Sequence, residues 1–280
     1  MLEPRVLDLD WRSVNRRIRS FIKDYLEKSR RKGVVLGLSG GIDSCTTSAL
    51  CALAVGGDNV TGLLLPEKET YRVIDITHAR LVAEKFGFKT EEVDITPLLN
   101  KFYSSCPIFD SRDRLSKGNA KARSRMIYLY YYANRLNLLV CGTSDKSETM
   151  MGYFTKWGDM ASDISPIMDL YKTQVRRLAE HLGIPKEIVN KPASPMLWPG
   201  QLAREELGMD YETLDLILFG LERFLKPEEI AQQMDIEVKA VKKIKRRYIS
   251  MTHKRKTPLT IKIQYRTMGV DMRLPRVIYE

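Results

Sequence analysis

Hydrophobic and polar residues alternate along the first half of the chain in blocks that predict strands and helices in turn. Short apolar runs indicate buried strands at Gly33–Leu38, Val60–Leu65, Lys89–Val93 and Leu138–Cys141. The stretches between and before them predict helices at Asp10–Leu26, Asp43–Val55, Val73–Phe86, Asp94–Phe102 and Asn119–Leu136, with an irregular polar segment at Tyr103–Gly118. Strands alternating with helices in this way predict an α/β fold, a parallel sheet with helices on both faces.

The first predicted strand ends in a glycine turn that is followed directly by a helix, and the run extends from Gly37 to Ser44. Two adjacent glycines let the backbone approach an anion and adopt positive φ without strain. The backbone N–H groups then face outward at the positive end of a helix, which favours phosphate. A carboxylate beside phosphate is costly unless a cation lies between them, so Asp43 in this turn indicates Mg²⁺. The GK[ST] ending of a Walker A motif is absent.

Composition agrees with a soluble enzyme, and we expect residues 1–280 to form a single domain. No apolar run approaches the ~18 residues of a membrane span, and no signal-peptide pattern is present at the start. The four cysteines form no C-x-x-C pair, so we expect no zinc or redox motif and a reducing cytoplasm. Residues 238–280 hold 13 Lys or Arg and 2 Asp or Glu, which accounts for the whole net charge of +11. A basic segment suits nucleic acid, small anions or an acidic partner, and charge alone does not choose among them.

A second informative block, Gly142–Glu148, follows the fourth predicted strand. Carboxyl ends of parallel strands meet at one edge of a sheet, so this block and the glycine turn are expected to face the same crevice. There Thr143 could donate to a nucleotide. Glu148 could supply a second carboxylate for Mg²⁺ opposite Asp43, although a carboxylate on a helix is more often simply solvated.

Seven blocks occur in order along the chain, and together they resemble ammonia-dependent NAD synthetases. They are SGGIDS (39–44), NAKARSRM (119–126), GTSDKSE (142–148), GYFTKWGD (152–159), DLYKTQV (169–175), ELGMDYETLD (206–215) and HKRKTP (253–258). The first block is similar to the PP-loop of ATP pyrophosphatases. The resemblance implies a Rossmann-like fold of the adenine nucleotide alpha hydrolase-like kind.

The resemblance also implies an activity. ATP adenylates the nicotinate carboxylate of deamido-NAD, pyrophosphate leaves, and ammonia displaces AMP to give NAD. Mg²⁺ is the implied cofactor, and the implied assembly is a homodimer that shares the deamido-NAD site across its interface. Ammonia is expected as the nitrogen source because no glutaminase domain precedes Gly33, and a separate glutaminase subunit stays compatible with the sequence.

The resemblance also implies a role for each residue that matches a functional position of the family. The implied metal ligands are Asp43 and Glu148, which together with Lys172 form the implied catalytic set. Contacts to ATP are implied for Gly37, Leu38, Ser39, Gly40, Gly41, Ile42, Asp43, Ser44, Thr143, Lys172 and Ser194. Contacts to deamido-NAD are implied for Arg123, Lys156, Asp163, His253 and Lys254.

The chain departs from the family pattern in places. Leu202-Ala203 stands where Thr-Asp is common, which puts any contact made by that loop in doubt. Met168 replaces a common glycine, and Met160 replaces another small residue. In the basic extension, residues 259–280, the alternation Leu259–Tyr265 predicts an extra strand.

Two other functions compete with this interpretation. One is another PP-loop enzyme, but a tRNA thiolase usually carries paired cysteines, and a GMP-synthetase-like amidase is not expected to carry GYFTKWGD. The other is DNA binding, because residues 227–247 have the pattern of a helix-turn-helix with a basic second helix. NAD synthetases also carry a helix pair at this place, so we do not expect nucleic acid as a partner.

Overall fold

A four-stranded parallel sheet lies at the centre of the first half of the molecule. The computed structural model describes residues 1–267 and 270–272. The strands are β1 (Gly33–Gly37), β2 (Val60–Leu64), β3 (Lys89–Glu92) and β4 (Leu138–Val140). They lie in the order β3-β2-β1-β4, and every neighbouring pair is parallel. The predicted α/β class and all four predicted strands are therefore confirmed.

Helices connect these strands and continue through the second half of the chain. The described residues contain α1 (Trp11–Lys28), α2 (Ile42–Val55), α3 (Val73–Phe86), α4 (Thr96–Ser105), α5 (Arg114–Leu136), α6 (Lys146–Met151), α7 (Lys172–Leu182), α8 (Lys186–Val189), α9 (Ala203–Leu207), α10 (Tyr211–Glu222), α11 (Pro227–Met234), α12 (Val238–Ser250) and α13 (Thr252–Arg255). None of these helices is long and apolar enough to cross a membrane.

Alternate side chains of β1 enter two separate hydrophobic cores. Val34 and Leu36 belong to a core that includes residues of α1, α2, α3 and α7. Val35 belongs to a second core on the other face, with residues of α4 and α5. Successive side chains of a strand point to opposite faces, so an all-apolar strand needs cover on both sides. This burial explains why β1 has no polar positions.

A third core is helical and is separate from the two cores of the sheet. It is built mainly from α9 to α12 and includes Met151 at the end of α6 and Tyr171 just before α7. The predicted helix pair is present as α11 and α12. Of the four positions that the helix-turn-helix pattern places in its core, Ile230, Ala231 and Val241 are buried and Ile236 is partly buried. This core therefore packs α9 to α12 against the end of α6 and the residue before α7.

The start of α5 differs from the prediction. The helix begins at Arg114, where the Asp113 side chain accepts the backbone N–H of Ser116, and not at Asn119. Gly118 lies inside the helix, although glycine is unfavourable there. A Cβ on Gly118 would lie 3.0 Å from the Leu197 Cβ, so the glycine permits close contact with a distant loop.

The predicted strand at Leu259–Tyr265 is wrong. The chain has neither helix nor strand from 256 to 267, and the side chains of Leu259, Ile261, Ile263 and Tyr265 are exposed. An alternating pattern forms a strand only where another strand offers hydrogen-bond partners, and the described residues place none beside this segment. The parts of the extension at 268–269 and 273–280 lie outside the described residues.

Candidate active site

The turn between β1 and α2 is held in shape by glycine geometry and serine hydroxyls. Gly40 has φ of +69°, and a Cβ there would lie 2.1 Å from the Asp75 carbonyl oxygen, so only glycine fits. The Ser44 hydroxyl donates to the Gly41 carbonyl at 3.1 Å and accepts the Ser39 backbone N–H at 3.2 Å. The turn is therefore preorganised at the positive end of α2, as an anion site requires.

Three carboxylates surround the ammonium group of Lys172, the first residue of α7. The Lys172 Nζ lies 2.7 Å from Asp43 Oδ2, 3.0 Å from Asp145 Oδ2 and 2.8 Å from Glu148 Oε1. The Lys172 side chain is 1% exposed and Asp145 is fully buried, whereas Asp43 and Glu148 are 22% and 20% exposed. Two carboxylates therefore reach the cavity, and the third lies behind the lysine.

Burial and charge act against each other in this cluster. Desolvation raises the pKa of Asp145 to about 7 despite the attraction of Lys172, and it raises the pKa of Glu148 well above its ordinary value. Burial by itself would lower the pKa of Lys172, but the nearby carboxylates of Asp145, Asp43 and Glu148 raise it well above its ordinary value. Lys172 therefore stays protonated, whereas burial opposes the ionisation of Asp145 and Glu148.

A divalent cation beside these carboxylates would favour their ionised forms. Asp43 Oδ1 is buried and has no hydrogen-bond partner among the described residues. Those residues contain no group of three or more His, Cys, Asp or Glu side chains that could hold a metal alone. Mg²⁺ commonly takes one or two protein carboxylates and completes its shell with water and phosphate oxygens. The donor set of Asp43 and Glu148 therefore fits Mg²⁺ bound together with a nucleotide.

A hydrogen-bond network behind the cluster holds α6 and α7 together. Ser147 accepts the backbone N–H of Lys172 at 2.9 Å and donates to Asp215 Oδ1 at 2.5 Å. The other oxygen of Asp215 accepts the backbone N–H and the hydroxyl of Thr173, both at 2.8 Å. Burial raises the pKa of Asp215 to about 6. One buried carboxylate of α10 thus fixes the first turns of the helices that carry Glu148 and Lys172.

The cluster lies in a cavity of about 1100 Å³ that also contains most of the predicted site residues. Its lining includes Gly37, Leu38, Ser39, Gly41, Ile42, Asp43, Ser44, Arg123, Thr143, Glu148, Lys156, Lys172, Ser194, His253 and Lys254. Gly40 and Asp163 are the two predicted residues that are not among the lining residues. The volume is slightly above the range of about 300–1,000 Å³ that is usual for one small ligand, so the cavity has room for two substrates.

Residues from distant parts of the sequence meet in a basic patch of this cavity. The Arg123 guanidinium donates to the Lys156 carbonyl at 3.2 Å, and Lys156 Nζ donates to the His253 carbonyl at 2.8 Å. Lys254 Nζ donates to the Gly152 carbonyl at 2.6 Å and lies 4.8 Å from the centre of the Phe154 ring. The four predicted cationic or histidine positions for deamido-NAD are therefore brought together.

Asp163 is separated from that patch. Its Oδ2 accepts the backbone N–H of Val140 at 2.8 Å, and its Oδ1 accepts the Tyr130 hydroxyl at 3.4 Å. The residue is exposed beside β4. Within one chain, Asp163 supports the sheet edge and does not face the cavity.

The loop that departs from the family pattern is internally bonded. Ser194 Oγ donates to the Gln201 carbonyl at 2.5 Å and accepts the Met196 N–H at 3.1 Å. Gln201 Oε1 accepts the Leu197 N–H at 2.9 Å. Ala203 is buried in the helical core, so a carboxylate at this position would require a partner there. The loop therefore keeps its shape without the missing Thr-Asp side chains.

Asp145 and Asp215 take part in the site although the sequence did not single them out. Both lie inside the recognised blocks GTSDKSE and ELGMDYETLD. Asp145 is the N-cap of α6, where its side chain accepts the Glu148 N–H at 2.8 Å. An aspartate three residues before a glutamate could have indicated this cap. No local pattern indicates the burial of Asp215.

Comparison with known proteins agrees with the geometry. A family model described as NAD synthase matches residues 14–258. The NH(3)-dependent NAD(+) synthetase of Hyperthermus butylicus is 47% identical over 254 residues, which are 90% of this chain and 91% of that protein. The solved NMN synthetase of Francisella tularensis has a TM-score of 0.80 at 33% identity, over 91% of this chain and all of that one. The NH3-dependent NAD synthetase of Campylobacter jejuni, solved with a nitrate ion, has a TM-score of 0.76 at 29% identity over the same shares.

Proposed function

This chain belongs to the NAD synthase family, and from that membership and the geometry of the cavity we propose that it is an ammonia-dependent NAD synthetase. It converts deamido-NAD, ATP and ammonia into NAD, AMP and pyrophosphate, the last step of NAD biosynthesis. The observation that carries the proposal is that one cavity contains the phosphate-binding turn, the Lys172 cluster and the basic patch. These are the parts that an adenylation between two anionic substrates needs.

In the first step the nicotinate carboxylate attacks the α-phosphate of ATP, and the two groups repel each other. Backbone N–H groups of the turn and the Ser39 hydroxyl hold the phosphates at the start of α2. Ser44 keeps the turn in shape through its bonds to Gly41 and Ser39. Lys172 then faces the phosphates with a charge that its three carboxylates keep in place, so negative charge that develops on the leaving pyrophosphate is stabilised. Thr143 and Ser194 match ATP-contacting positions of the family, and we propose that their hydroxyls contact ATP here as well.

Mg²⁺ is part of the proposal. Asp43 and Glu148 would hold the ion, which supplies positive charge at the phosphates when it is bound. The exposed fractions of these two carboxylates and the unpartnered Oδ1 of Asp43 support the assignment.

We assign the basic patch to the deamido-NAD side. Lys156 and Lys254 suit the pyrophosphate of a dinucleotide, and Arg123 suits a second anionic or polar group of the same ligand. Burial lowers the pKa of Lys254, so an anion placed beside it would relieve an unfavourable environment. Lys156, His253 and Lys254 follow β4 and Arg123 lies on α5, whereas the phosphate-binding turn follows β1.

The proposed assembly is a homodimer with α5 at its interface. Leu115, Ile127 and Tyr131 are exposed on this helix by 66%, 54% and 67%. Arg123, Ile127 and Tyr131 are four residues apart, so they lie along one stripe of the helix. An interface on this stripe would place a second subunit beside the deamido-NAD side of the cavity. Ile127→Asp should then produce monomers in analytical ultracentrifugation and raise the KM for deamido-NAD.

The substrate and the nitrogen source are tested together. With ATP, Mg²⁺ and an ammonium salt, we expect NAD to form from deamido-NAD, and we expect glutamine to be a poor replacement for ammonium. The Francisella relative is described as an NMN synthetase, so nicotinate mononucleotide is the substrate to compare. A higher kcat/KM for the mononucleotide than for deamido-NAD would overturn the assignment of the basic patch.

A further inference from the structure

Lys121 is a fully buried lysine whose ammonium group joins three segments of the chain. Its side chain is 1% exposed. Its Nζ donates to Glu67 Oε1 at 2.7 Å, to Glu69 Oε2 at 2.8 Å and to the Leu197 carbonyl at 2.8 Å. Lysine is almost never fully buried unless it is paired, so this arrangement is costly and specific.

Two lysines hold the ends of one segment, residues 191–198, which we call the strap. At its first residue, Lys191 Nζ donates to the Gly40 carbonyl at 3.0 Å and pairs with Asp75. Near its other end, Leu197 is bonded to Lys121 and packs against Gly118, one turn earlier on α5. The strap is therefore attached both to the phosphate-binding turn and to the segment that follows β2.

All eight residues of the strap line the cavity. Glu67, which Lys121 holds, lies after β2 and also accepts the Thr70 backbone N–H and hydroxyl. Strand β2 is the neighbour of β1 on the side away from β4. The strap and the segment after β2 therefore enclose the ATP side of the cavity, whereas Lys156, His253 and Lys254 of the basic patch belong to segments after β4.

We propose that Lys121 is a positioning residue that fixes the strap over the phosphate-binding turn and thereby sets the affinity for ATP. The inference rests on the proposed use of ATP by this cavity. Lys121 does not need to touch the nucleotide. It keeps the strap ordered before ATP binds, so binding does not carry the entropy cost of ordering this segment.

The test is calorimetric titration with ATP and Mg²⁺ in the absence of the second substrate, followed by titration with deamido-NAD alone. Lys121→Met removes the three hydrogen bonds and should weaken ATP binding by about tenfold or more, with deamido-NAD binding changed less than about twofold. Lys117→Met is the matched control. It removes a cation of the same helix that bonds Glu69 at 3.1 Å without reaching the strap, and it should bind ATP as the wild type does.

Gly118→Ala keeps the test decisive if Lys121→Met fails to fold. Alanine favours a helix more than glycine does, but its Cβ would push Leu197 by a few tenths of an ångström. We expect weaker ATP binding in a variant that still folds, which its thermal unfolding checks. Unchanged ATP affinity in a folded Lys121→Met would overturn the inference. If that variant does not fold, unchanged ATP affinity in Gly118→Ala would overturn it. An equal loss of affinity for ATP and for deamido-NAD would do the same. Because binding is measured directly, a wild type that binds ATP but makes no NAD would contradict the proposed function alone.

Discussion

Ser147 and Asp215, 68 residues apart in the chain, are joined by a hydrogen bond of 2.5 Å from Oγ to Oδ1. The bond matters because Ser147 also accepts the backbone N–H of Lys172 and precedes Glu148. The first turns of α6 and α7 are thus held together by one carboxylate, that of Asp215. The position of Lys172 relative to Glu148 therefore depends on Asp215, which does not line the cavity.

We therefore expect Ser147→Ala to lower kcat by about tenfold or more, since small misplacements of catalytic groups are costly. Asp215→Asn keeps an acceptor for Thr173 and should lose less. Asp210→Ala is the control. Asp210 caps α10, the helix that contains Asp215, by accepting the Thr213 N–H, but it has no bond to α6 or α7. It should lower the unfolding temperature and leave kcat nearly unchanged. Equal kcat losses in the Asp210 and Ser147 variants would show that helix stability, and not positioning, is responsible.

The metal assignment predicts different results for carboxylates that all contact Lys172. Asp43→Asn and Glu148→Gln should each lower activity on the order of 100-fold and raise the Mg²⁺ concentration needed for half-maximal rate. Asp145→Asn removes a charge from the same lysine, keeps the helix cap and does not reach the cavity. Its Mg²⁺ requirement should stay near that of the wild type. A normal Mg²⁺ requirement in Glu148→Gln would remove that residue from the ligand set.

How much of this site was visible in the sequence depends on whether the relevant pattern is local. The turn at Gly40 and the strand before it were predictable, because apolar runs and paired glycines are local patterns. The start of α5 was missed because Gly118 favours a break in an isolated helix, and its contact with Leu197 is tertiary. The strand at Leu259–Tyr265 was wrong because alternation does not reveal whether a neighbouring strand exists. The burial of Asp215 has the same tertiary origin.

The basic patch makes a prediction about substrate selectivity. Lys254→Ala should raise the KM for deamido-NAD by about tenfold, because a half-buried cation contributes more than the roughly 1 kcal/mol of an exposed pair. The KM for ATP should change much less. Lys256→Ala, a neighbouring exposed cation, should resemble the wild type. Steady-state kinetics with each substrate varied in turn separate these cases, and a parallel rise of both KM values would contradict the assignment.

The Lys121–Glu67 pair predicts a dependence of stability on pH. Burial alone would raise the pKa of Glu67, but its bond to Lys121 and those to Thr70 and the Glu69 N–H lower it below the ordinary 4.5. A carboxylate with a lowered folded pKa adds stability above its unfolded pKa, and that stability is lost as pH falls through the folded pKa. Without Lys121, burial should dominate and raise the pKa of Glu67. The loss of unfolding free energy caused by Lys121→Met should then be greater at pH 7 than at pH 4 in urea unfolding. An equal loss at both pH values would show that the pair does not control the ionisation of Glu67.

The central claim is that the carboxylate of deamido-NAD is adenylated in this cavity, and isotope transfer tests it directly. Deamido-NAD labelled with ¹⁸O in its carboxylate is incubated with the enzyme, ATP, Mg²⁺ and ammonium, and the products are analysed by mass spectrometry. Attack on the α-phosphate leaves one carboxylate oxygen on that phosphate, so we predict equal amounts of NAD, AMP and pyrophosphate, with one ¹⁸O atom in each AMP. Release of ADP and labelled inorganic phosphate, or AMP without label, would contradict the account.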